Sequence, residues 1–387
     1  MHDHDVAIVG LGFGDEGKGM ATLYETKRAM TAGCEPVVVR FNGGPQAAHN
    51  VRLVRDGKVL HHTHSQFGSG TLLGAKTYYL KSALFDPMRL EPEAMHLYDL
   101  THRNVMLSMY VDMDCPVVLN MHAYANVAIE EMRREHGMEH GSTGSGVGVA
   151  RWCHENLGTN TVRNLLMGNI DVGEMVDAIN EHYGMDLDRQ HEEHALEGTT
   201  RVMWNLVNQG LHVIEGGEDA VASLDARLIY EGSQGVFLDE RYGYFPHVTY
   251  GDMLPTVPID LLAHRSCGLH VIGVTRSYGT RHGAGPMPFE GMCDIGELDN
   301  VGGLAGKFRT GLLSLRHLDK AVRIANVGAI AVSHMDRYPG RFADMSGIVR
   351  DAAEDEFVAA IEEVGATVEI MGRGPLLCDW KPTARYI

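Results

Sequence analysis

The sequence has few cysteines, and none of them stand close together. Its six cysteines are scattered over 387 residues and include no C-x-x-C pair. This spacing excludes a zinc ribbon and a redox-active dithiol, since both need paired cysteines. Isolated cysteines are typical of proteins from a reducing compartment, where they serve as small apolar core residues. We therefore expect a cytoplasmic protein.

Long apolar runs and basic residues are also scarce. No stretch approaches the roughly 18 consecutive apolar residues of a membrane span, and the first residues, MHDHDVAIVG, lack a signal-peptide pattern. The chain has 33 Lys and Arg against 51 Asp and Glu, a formal net charge of −18. We therefore expect neither a membrane nor a nucleic acid as partner, because non-specific nucleic-acid binding needs a basic surface. A local basic pocket remains compatible with this charge.

The sequence does contain an alternation of strand-like and helix-like patterns. Val6–Val9 and Pro36–Phe41 are apolar runs on either side of a helix pattern at Gly17–Met30, which predicts a βαβ unit and a parallel sheet. We predict an α/β fold, with a P-loop-like, mostly parallel central sheet flanked by helices, in one domain over residues 1–387 with helical insertions at about 87–210. Further helices are predicted at 87–107, 121–136 and 170–210, and further strands at 228–230, 270–274, 329–332 and, as the last strand, 367–370.

The loop GLGFGDEGKG after the first strand is typical of a phosphate-binding site. Residues 12–18 fit G-x-x-x-x-G-K, and a glycine loop that opens a helix offers free backbone N–H groups to an anion. Gly19 stands where a P-loop has Ser or Thr, so Asp15 is the nearest candidate metal ligand. The same glycines fit a dinucleotide fingerprint, but the second strand ends in Arg40-Phe41-Asn42 without the acidic residue that fingerprint needs.

Four later loops carry polar residues that suit a nucleotide site. FNGGPQAAHN (41–50) follows the second strand and contains His49, and GSTGSGVG (141–148) has the glycines and hydroxyls of a phosphate nest or of a flexible loop tip. YEGSQG (230–235) places Gln234 after a strand, where it can bond a base edge. Asp336 follows the strand AIAV, and it either accepts from a guanine edge or caps a helix.

These motifs together resemble the adenylosuccinate synthetase family, in the same order over almost the whole chain. The matching segments are 14–19 for G-D-E-G-K-G, 46–50 for N-A-G-H-T, 142–148 for T-T-G-R-G-I-G, 231–235 for E-G-A-Q-G, 245–249 for Y-P-Y-V-T, 279–286 for S-T-R-V-G-A-G-P, 333–336 for T-K-L-D and 372–375 for S-T-G-P.

The resemblance implies a GTP-dependent ligase that phosphorylates the 6-oxygen of a purine nucleotide and then joins L-aspartate to C6. It implies that Asp15 takes the purine N1 proton, that His49 donates to the transferred phosphate and that Gln234 orients the purine. It also implies Mg²⁺ as cofactor, bound by Asp15 and the Ala48 carbonyl. A homodimer is implied as well, in which Arg163 reaches across the interface.

The resemblance assigns the remaining site residues by ligand. The nucleoside triphosphate would contact Gly14, Glu16, Gly17, Lys18, Gly19, Asn50, Arg309, His334, Asp336, Gly374 and Pro375. The purine nucleotide would contact Asp15, Gln46, Ala47, Ser142, Thr143, Arg163, Gln234, Thr249, His282 and Lys307. Aspartate would contact Gly302, Gly303, Leu304, Ala305 and Arg309.

Departures from the family pattern bear on the substrates. The family's Arg-rich R-R-R-R-T-G is reduced to KFRTG (307–311), His334 replaces a lysine that reads guanine, and His282 replaces a valine near the ribose 2′-hydroxyl. These departures leave the nucleoside triphosphate that donates the phosphate open, between GTP or dGTP and ATP or dATP.

PQAAHN and HTHSQFGSGTL (62–72) look most like the bacteriophage branch that acts on dGMP and makes N6-succino-2-amino-2′-deoxyadenylate, a precursor of 2-aminoadenine DNA. In a viral chain the location would be the host cytoplasm. That branch often has Ser in place of the catalytic Asp, whereas Asp15 is kept, so the alternative is a cellular-type enzyme that uses IMP and GTP. A non-catalytic nucleotide-binding protein and a dehydrogenase are less favoured.

Overall fold

The computed structural model describes residues 4–296 and 304–383. Within these ranges the strands are β1 (His4–Gly10), β2 (Pro36–Arg40), β3 (His49–Arg55), β4 (Lys58–His64), β5 (Lys76–Tyr79), β6 (Met109–Asp112), β7 (His212–Ile214), β8 (Arg227–Gly235), β9 (Gly268–Arg276), β10 (Tyr278–His282), β11 (Phe308–Leu312), β12 (Ala329–Ser333), β13 (Arg341–Ala343), β14 (Val349–Asp351), β15 (Thr367–Gly372) and β16 (Trp380–Pro382).

The α-helices lie mostly between the strands of the sheet, and the longest group falls between β5 and β8. They are α1 (Lys18–Thr31), α2 (Pro87–Thr101), α3 (Asn120–Glu135), α4 (Val147–Leu157), α5 (Val162–Met167), α6 (Val172–Tyr183), α7 (Arg189–Gln209), α8 (Gly217–Ala222), α9 (Thr256–Leu261), α10 (Leu315–Ala325) and α11 (Glu354–Glu362). None of the helices in the described ranges is long and apolar enough to cross a membrane.

Ten strands form the central sheet, in the order β16-β15-β12-β9-β1-β8-β2-β5-β6-β7. Every neighbouring pair is parallel except β15 and β16 at one edge. The predicted α/β fold with a mostly parallel sheet is therefore confirmed. The expectation that 367–370 is the last strand is wrong, because β16 follows it. This edge strand has three residues and ends in proline, too short for a hydrophobic period to reveal it.

The apolar runs of the sequence form the centre of the sheet because helices cover both of its faces. Val6 and Ile8 of β1 pack into one apolar cluster with α1 and α2, whereas Ala7 and Val9 of the same strand join clusters on the opposite face. All four side chains are fully buried. A strand buried on both faces needs a continuous apolar run rather than an alternating one.

Within residues 4–296 and 304–383, three two-stranded antiparallel sheets lie outside the central sheet, β3–β4, β10–β11 and β13–β14, and the sequence analysis predicted none of them. The first of them is a hairpin. This hairpin, β3–β4, turns at Asp56 and Gly57, which both have positive φ. An Asp-Gly pair between two strand patterns is a strong hairpin signal. The hairpin matters for the site, since it begins at His49 and ends at His64.

The start of α3 contains a buried histidine. His122 is fully buried, and its Nδ1 accepts a hydrogen bond from the backbone N–H of Leu119 at 3.0 Å. Burial disfavours the charged imidazolium and lowers the pKa of His122 from 6.5 to about 3. His122 is therefore neutral in the folded protein.

Acidification should destabilise the fold partly through His122. Between pH 6.5 and about 3, His122 binds a proton in the unfolded chain but not in the folded one. The contribution of neutral His122 to the free energy of unfolding is therefore fully present above this window and is lost as the pH falls through it. We expect the free energy of unfolding of the wild type to fall faster than that of His122→Gln, by up to roughly 1.4 kcal/mol per pH unit. Urea unfolding at a series of pH values measures both slopes, and parallel slopes would contradict this account.

Candidate active site

The carboxyl ends of six neighbouring parallel strands meet at one large cavity. The strands are β15, β12, β9, β1, β8 and β2, and residues that follow each of them line a space of about 960 Å³. In open α/β sheets this edge is where ligands bind. The volume is at the upper end of the range for small-molecule sites.

The loop between β1 and α1 forms the floor of this cavity. Gly14 and Gly17 have φ of 109° and 97°, a conformation that glycine adopts without strain. The Lys18 ammonium donates to the Gly14 carbonyl at 2.6 Å and to Glu16 Oε2 at 3.0 Å, while Glu16 Oε1 accepts from the Gly14 N–H at 2.7 Å. The Glu16 side chain thus lies beneath the loop and holds it, rather than along the cavity as a triphosphate contact.

Asp15 projects into the cavity from the same loop. Its side chain is 26 % exposed, and its Oδ2 lies 3.4 Å from Nε2 of His282. Arg276 donates to the backbone carbonyl of Asp15. Burial raises the pKa of Asp15 above its usual value, although His282 and Arg276 oppose this. A carboxylate with a raised pKa that faces a cavity is a candidate general base.

His49 lies at the start of β3 and is held by a buried carboxylate. Its Nδ1 donates to Oε1 of Glu231 at 2.6 Å, and its side chain is only 6 % exposed. Burial lowers the pKa of His49, against the attraction of Glu231. Burial also disfavours the Glu231 anion, but His49 and Arg40 outweigh this and hold the pKa of Glu231 at about 2. Because Glu231 stays ionised, it fixes the proton on Nδ1. Nε2 lies 3.4 Å from the Ser233 carbonyl oxygen and is the ring nitrogen left to meet a ligand in the cavity.

Glu231 is part of a buried network that sequence reasoning did not assign. Ser69 donates to it through both its backbone N–H, at 3.0 Å, and its hydroxyl, and Nη1 of Arg40 lies 3.6 Å away. Arg40 and Glu231 are fully buried. Glu231 opens the 231–235 motif, and this position was the only signal for its role. Its partner Ser69 lies in the segment 62–72, which was assigned no contact with Glu231, and Arg40 ends β2 outside the quoted motifs.

The cavity is basic although the chain as a whole is acidic. Its lining contains the cations Lys18, Arg52, Arg133, Arg151, Arg276, Arg281 and Arg337, and the acids Asp15, Glu155, Glu240 and Asp336. Cations concentrated in a partly desolvated cleft attract anionic ligands. The Arg281 guanidinium lies 4.4 Å from the centre of the Phe13 ring and donates to the His247 carbonyl at 3.1 Å. Arg276 and Arg281 are cavity residues that sequence reasoning had not assigned.

The structure brings together most of the residues that the sequence singled out. Those that line the cavity are Gly14, Asp15, Gly17, Lys18, Gly19, Gln46, Ala48, His49, Asn50, Ser142, Thr143, Gln234, Thr249, His282, Ala305, His334, Asp336, Gly374 and Pro375. Both predicted metal ligands are among them, and both offer oxygen atoms.

Arg163 and Arg309 lie away from the cavity of their own chain. At the start of α5, Arg163 is paired with Asp114 at 2.9 Å and Glu215 at 3.0 Å. Arg309 on β11 pairs with Glu290 at 3.0 Å. Neither residue is therefore part of the lining in its own chain, because acidic neighbours on adjacent segments hold both guanidinium groups. The expectation that Arg163 reaches a partner's cavity stays a prediction.

Five further predicted contacts either do not line the cavity or lie outside the described residues. Lys307 is exposed, and the backbone carbonyl of Leu304 accepts from Arg134 at 2.9 Å, so neither lines the cavity. Ala47 is buried behind its loop. Gly302 and Gly303 lie outside the described residues.

One wall of the cavity comes from the far end of the chain. Trp380 of β16 pairs with Gly372 of β15, and its ring lies 3.7 Å from the position that a Cβ on Gly17 would occupy. At Gly372 a Cβ would overlap the indole, so glycine makes room for it. Nearby His334 is neutral, because burial, Arg276 and Arg337 lower its pKa to about 2.

Comparison with known proteins identifies the family. The sequence model of adenylosuccinate synthetase matches residues 7–342. The chain belongs to the adenylosuccinate synthetase family. The adenylosuccinate synthetase of Thermoplasma acidophilum is 30% identical over 352 residues, 86% of this chain and 76% of that enzyme. That of Wolbachia pipientis is 27% identical over 351 residues, 86% and 78% of the two chains.

Two solved structures share the fold. The fully ligated adenylosuccinate synthetase from Plasmodium falciparum superimposes with a TM-score of 0.75 at 17% identity, covering 98% of this chain and all of that one. The cyanophage S-2L succinoaminodeoxyadenylate synthetase, bound to dGMP and dATP as an energy donor, superimposes with a TM-score of 0.65 at 20% identity, with both chains covered fully. As a member of the adenylosuccinate synthetase family, the chain is a ligase that forms a carbon–nitrogen bond.

Proposed function

We propose that the chain joins L-aspartate to C6 of dGMP and forms N6-succino-2-amino-2′-deoxyadenylate. The observation that carries the reaction type is the convergence of Asp15, Lys18, His49 and Gln234 on one basic cavity. In this reaction the purine N1 loses its proton and the charge moves to O6. O6 then attacks the γ-phosphate of the donor, and the aspartate amine displaces the resulting phosphate at C6.

Asp15 and His49 divide the proton work in this proposal. Asp15 accepts the N1 proton, for which its raised pKa suits it. His49 has its Nδ1–H committed to Glu231, so Nε2 is the atom that meets the transferred phosphoryl group. A phosphate anion and Glu231 on opposite sides of the ring both favour the imidazolium, which then donates to the phosphate oxygen.

Lys18, Gln234 and the loop amides complete the binding of the phosphates and the base. Lys18 would exchange its bond to Glu16 for the triphosphate, and Gln234 would bond the purine edge. Mg²⁺ fits here because Asp15 and the Ala48 carbonyl present hard oxygen ligands to the same cavity. When bound, the ion neutralises charge on the donor phosphates.

The choice of dGMP rests on loops and on a fold likeness. The loop at 45–50 and the segment at 62–72 depart from the cellular pattern in the manner of the bacteriophage branch, and the cyanophage enzyme with dGMP shares the fold. The second segment contains Ser69, which holds Glu231 behind His49. The unusual sequence of this segment therefore lies next to the carboxylate that holds His49, the residue proposed to donate a hydrogen bond to the transferred phosphate.

A cellular-type reaction with IMP and GTP is the second candidate. Retention of Asp15 and the likeness to curated cellular synthetases favour it.

The triphosphate donor is a separate question. His334 is neutral where the family has lysine, so we propose that ATP or dATP serves as well as GTP or dGTP.

We also propose a homodimer that brings Arg163 to the partner's cavity. A monomer by sedimentation velocity would contradict it.

The test is a matrix of substrates with purified protein, aspartate and Mg²⁺. The acceptors are dGMP, GMP and IMP, and the donors are GTP, dGTP, ATP and dATP, with products separated by chromatography and identified by mass. We expect the succino product from dGMP, with inorganic phosphate released in equal amount. Omission of aspartate controls for simple triphosphate hydrolysis. Turnover of IMP alone would overturn the dGMP proposal and leave the ligase assignment intact.

A further inference from the structure

A second cluster of chemically active side chains lies outside the cavity. On β4, His62 and His64 are two residues apart and so share a face, which is buried. On α2, Glu93 and His96 are three residues apart and share a helix face. The two elements pack together, so that both histidines of the strand face Glu93.

The distances in this cluster match those between the ligands of one metal ion. His62 Nε2 lies 3.5 Å and His64 Nδ1 lies 3.8 Å from the same carboxylate oxygen, Oε1 of Glu93. The three ligand atoms lie within 4.8 Å of one another. Ligands at about 2.0–2.2 Å from a tetrahedral ion are about 3.3–3.6 Å apart, so small side-chain shifts close the geometry.

The imidazole nitrogens that face this space lack hydrogen bonds. Within residues 4–296 and 304–383, neither ring nitrogen of His64 has a hydrogen-bond partner. The Nε2 of His62 has none there either. The His64 side chain is fully buried, and an unpaired buried polar group costs roughly 1–3 kcal/mol. A cation between His62 Nε2, His64 Nδ1 and Glu93 would give one unpaired nitrogen of each histidine a partner.

The remaining atoms of the cluster fix the ligands in place. Glu93 accepts backbone N–H groups of Ser65, Gln66 and Phe67 at 2.7–3.1 Å, which orient the carboxylate. His96 is exposed, and its Nδ1 lies 2.8 Å from Nδ1 of His62. When His62 donates to His96, its Nε2 carries the lone pair toward Glu93. Metal-binding histidines commonly donate their other ring N–H in this manner.

We infer that His62, His64 and Glu93 bind a divalent transition-metal ion of the zinc class. Two imidazoles and one carboxylate suit Zn²⁺, whereas Mg²⁺ prefers oxygen ligands alone. The ion would tie β4 and the turn after it to α2. That turn leads to Ser69, so the site would also brace the segment that holds Glu231.

The experiment measures Zn²⁺ and Co²⁺ binding by the full chain after chelator treatment. Competition with a chromophoric chelator gives the Zn²⁺ affinity, and visible d–d absorption of Co²⁺ reports tetrahedral coordination. We expect one ion per chain in the wild type and its loss in His64→Ala. His61→Ala is the matched control, because His61 is on the same strand but exposed, and it should bind like the wild type.

His96→Ala keeps the test decisive if His64→Ala does not fold. It leaves the three ligands in place and removes only the outer hydrogen bond, for which we expect a loss of affinity of about 10- to 100-fold. Wild-type protein that binds neither ion would overturn the inference. Equal binding by the wild type and His64→Ala, or an equal loss in His61→Ala, would overturn it too.

Discussion

Asp15→Asn is expected to lower kcat by about 10²- to 10⁴-fold, the usual contribution of a general base. The side chain faces the cavity between His282 and the phosphate loop, and Asn keeps its shape while it removes the proton acceptor. A base stops working when it is protonated, and burial raises the pKa of Asp15. On acidification, the wild-type rate should therefore begin to fall at a higher pH than it would with an ordinary aspartate. Steady-state kinetics across pH measures both effects.

Two controls separate the base role of Asp15 from its other effects. Glu240→Gln removes one negative charge from the same cavity lining, and its kcat should stay near that of the wild type. A titration with Mg²⁺ shows whether the defect is in metal binding, since a lost metal ligand is compensated at high concentration and a lost base is not. An Asp15→Asn enzyme with wild-type kcat would refute the proposed mechanism.

Glu231→Gln is expected to lower kcat by about 10²- to 10⁴-fold, although Glu231 does not line the cavity. Loss of an orienting carboxylate behind a catalytic histidine costs up to about 10⁴ in kcat, because the imidazole takes the wrong tautomer. Here the amide can donate to His49 Nδ1 and move the ring proton to Nε2. The buried Arg40 would also lose its counter-charge, and breaking a buried ion pair costs about 3–5 kcal/mol.

The readouts for Glu231→Gln distinguish a positioning role from a loss of fold. The pH dependence of kcat should change with the pKa of His49, and nitrogen chemical shifts of His49 should report the altered tautomer. Ser69→Ala is the matched control, since it removes one hydrogen bond to Glu231 and keeps the carboxylate. We expect its effect on kcat to be much smaller. Equal losses in the two variants would indicate a general disturbance of the segment rather than the loss of the carboxylate.

Local patterns predicted the centre of the fold and the loops of the cavity. The unbroken apolar runs at 6–9 and 36–41 and the glycine loop between them carry their own signals, and β1, α1 and β2 form there. The Asp56-Gly57 turn carries an equally local signal, for the β3–β4 hairpin. A three-residue edge strand such as β16 gives no periodic signal, so only its partner β15 reveals it.

Pairings between distant residues could not be predicted from the sequence. Glu231 meets His49 across 182 positions, and neither residue indicates the other. The sequence likewise did not show that Asp114 and Glu215 would hold Arg163, or Glu290 would hold Arg309. A motif gives the identity of a side chain, whereas its direction depends on which charges the fold places beside it.

The Trp380 indole behind the phosphate loop makes one wall of the cavity depend on the edge of the central sheet. The loop at 10–19 and β16 lie far apart in the sequence. Contacts of such high sequence separation form late in folding, because the loop-closure entropy must be overcome first. We therefore expect partial unfolding of the β15–β16 edge to open this wall while β1, α1 and β2 stay paired.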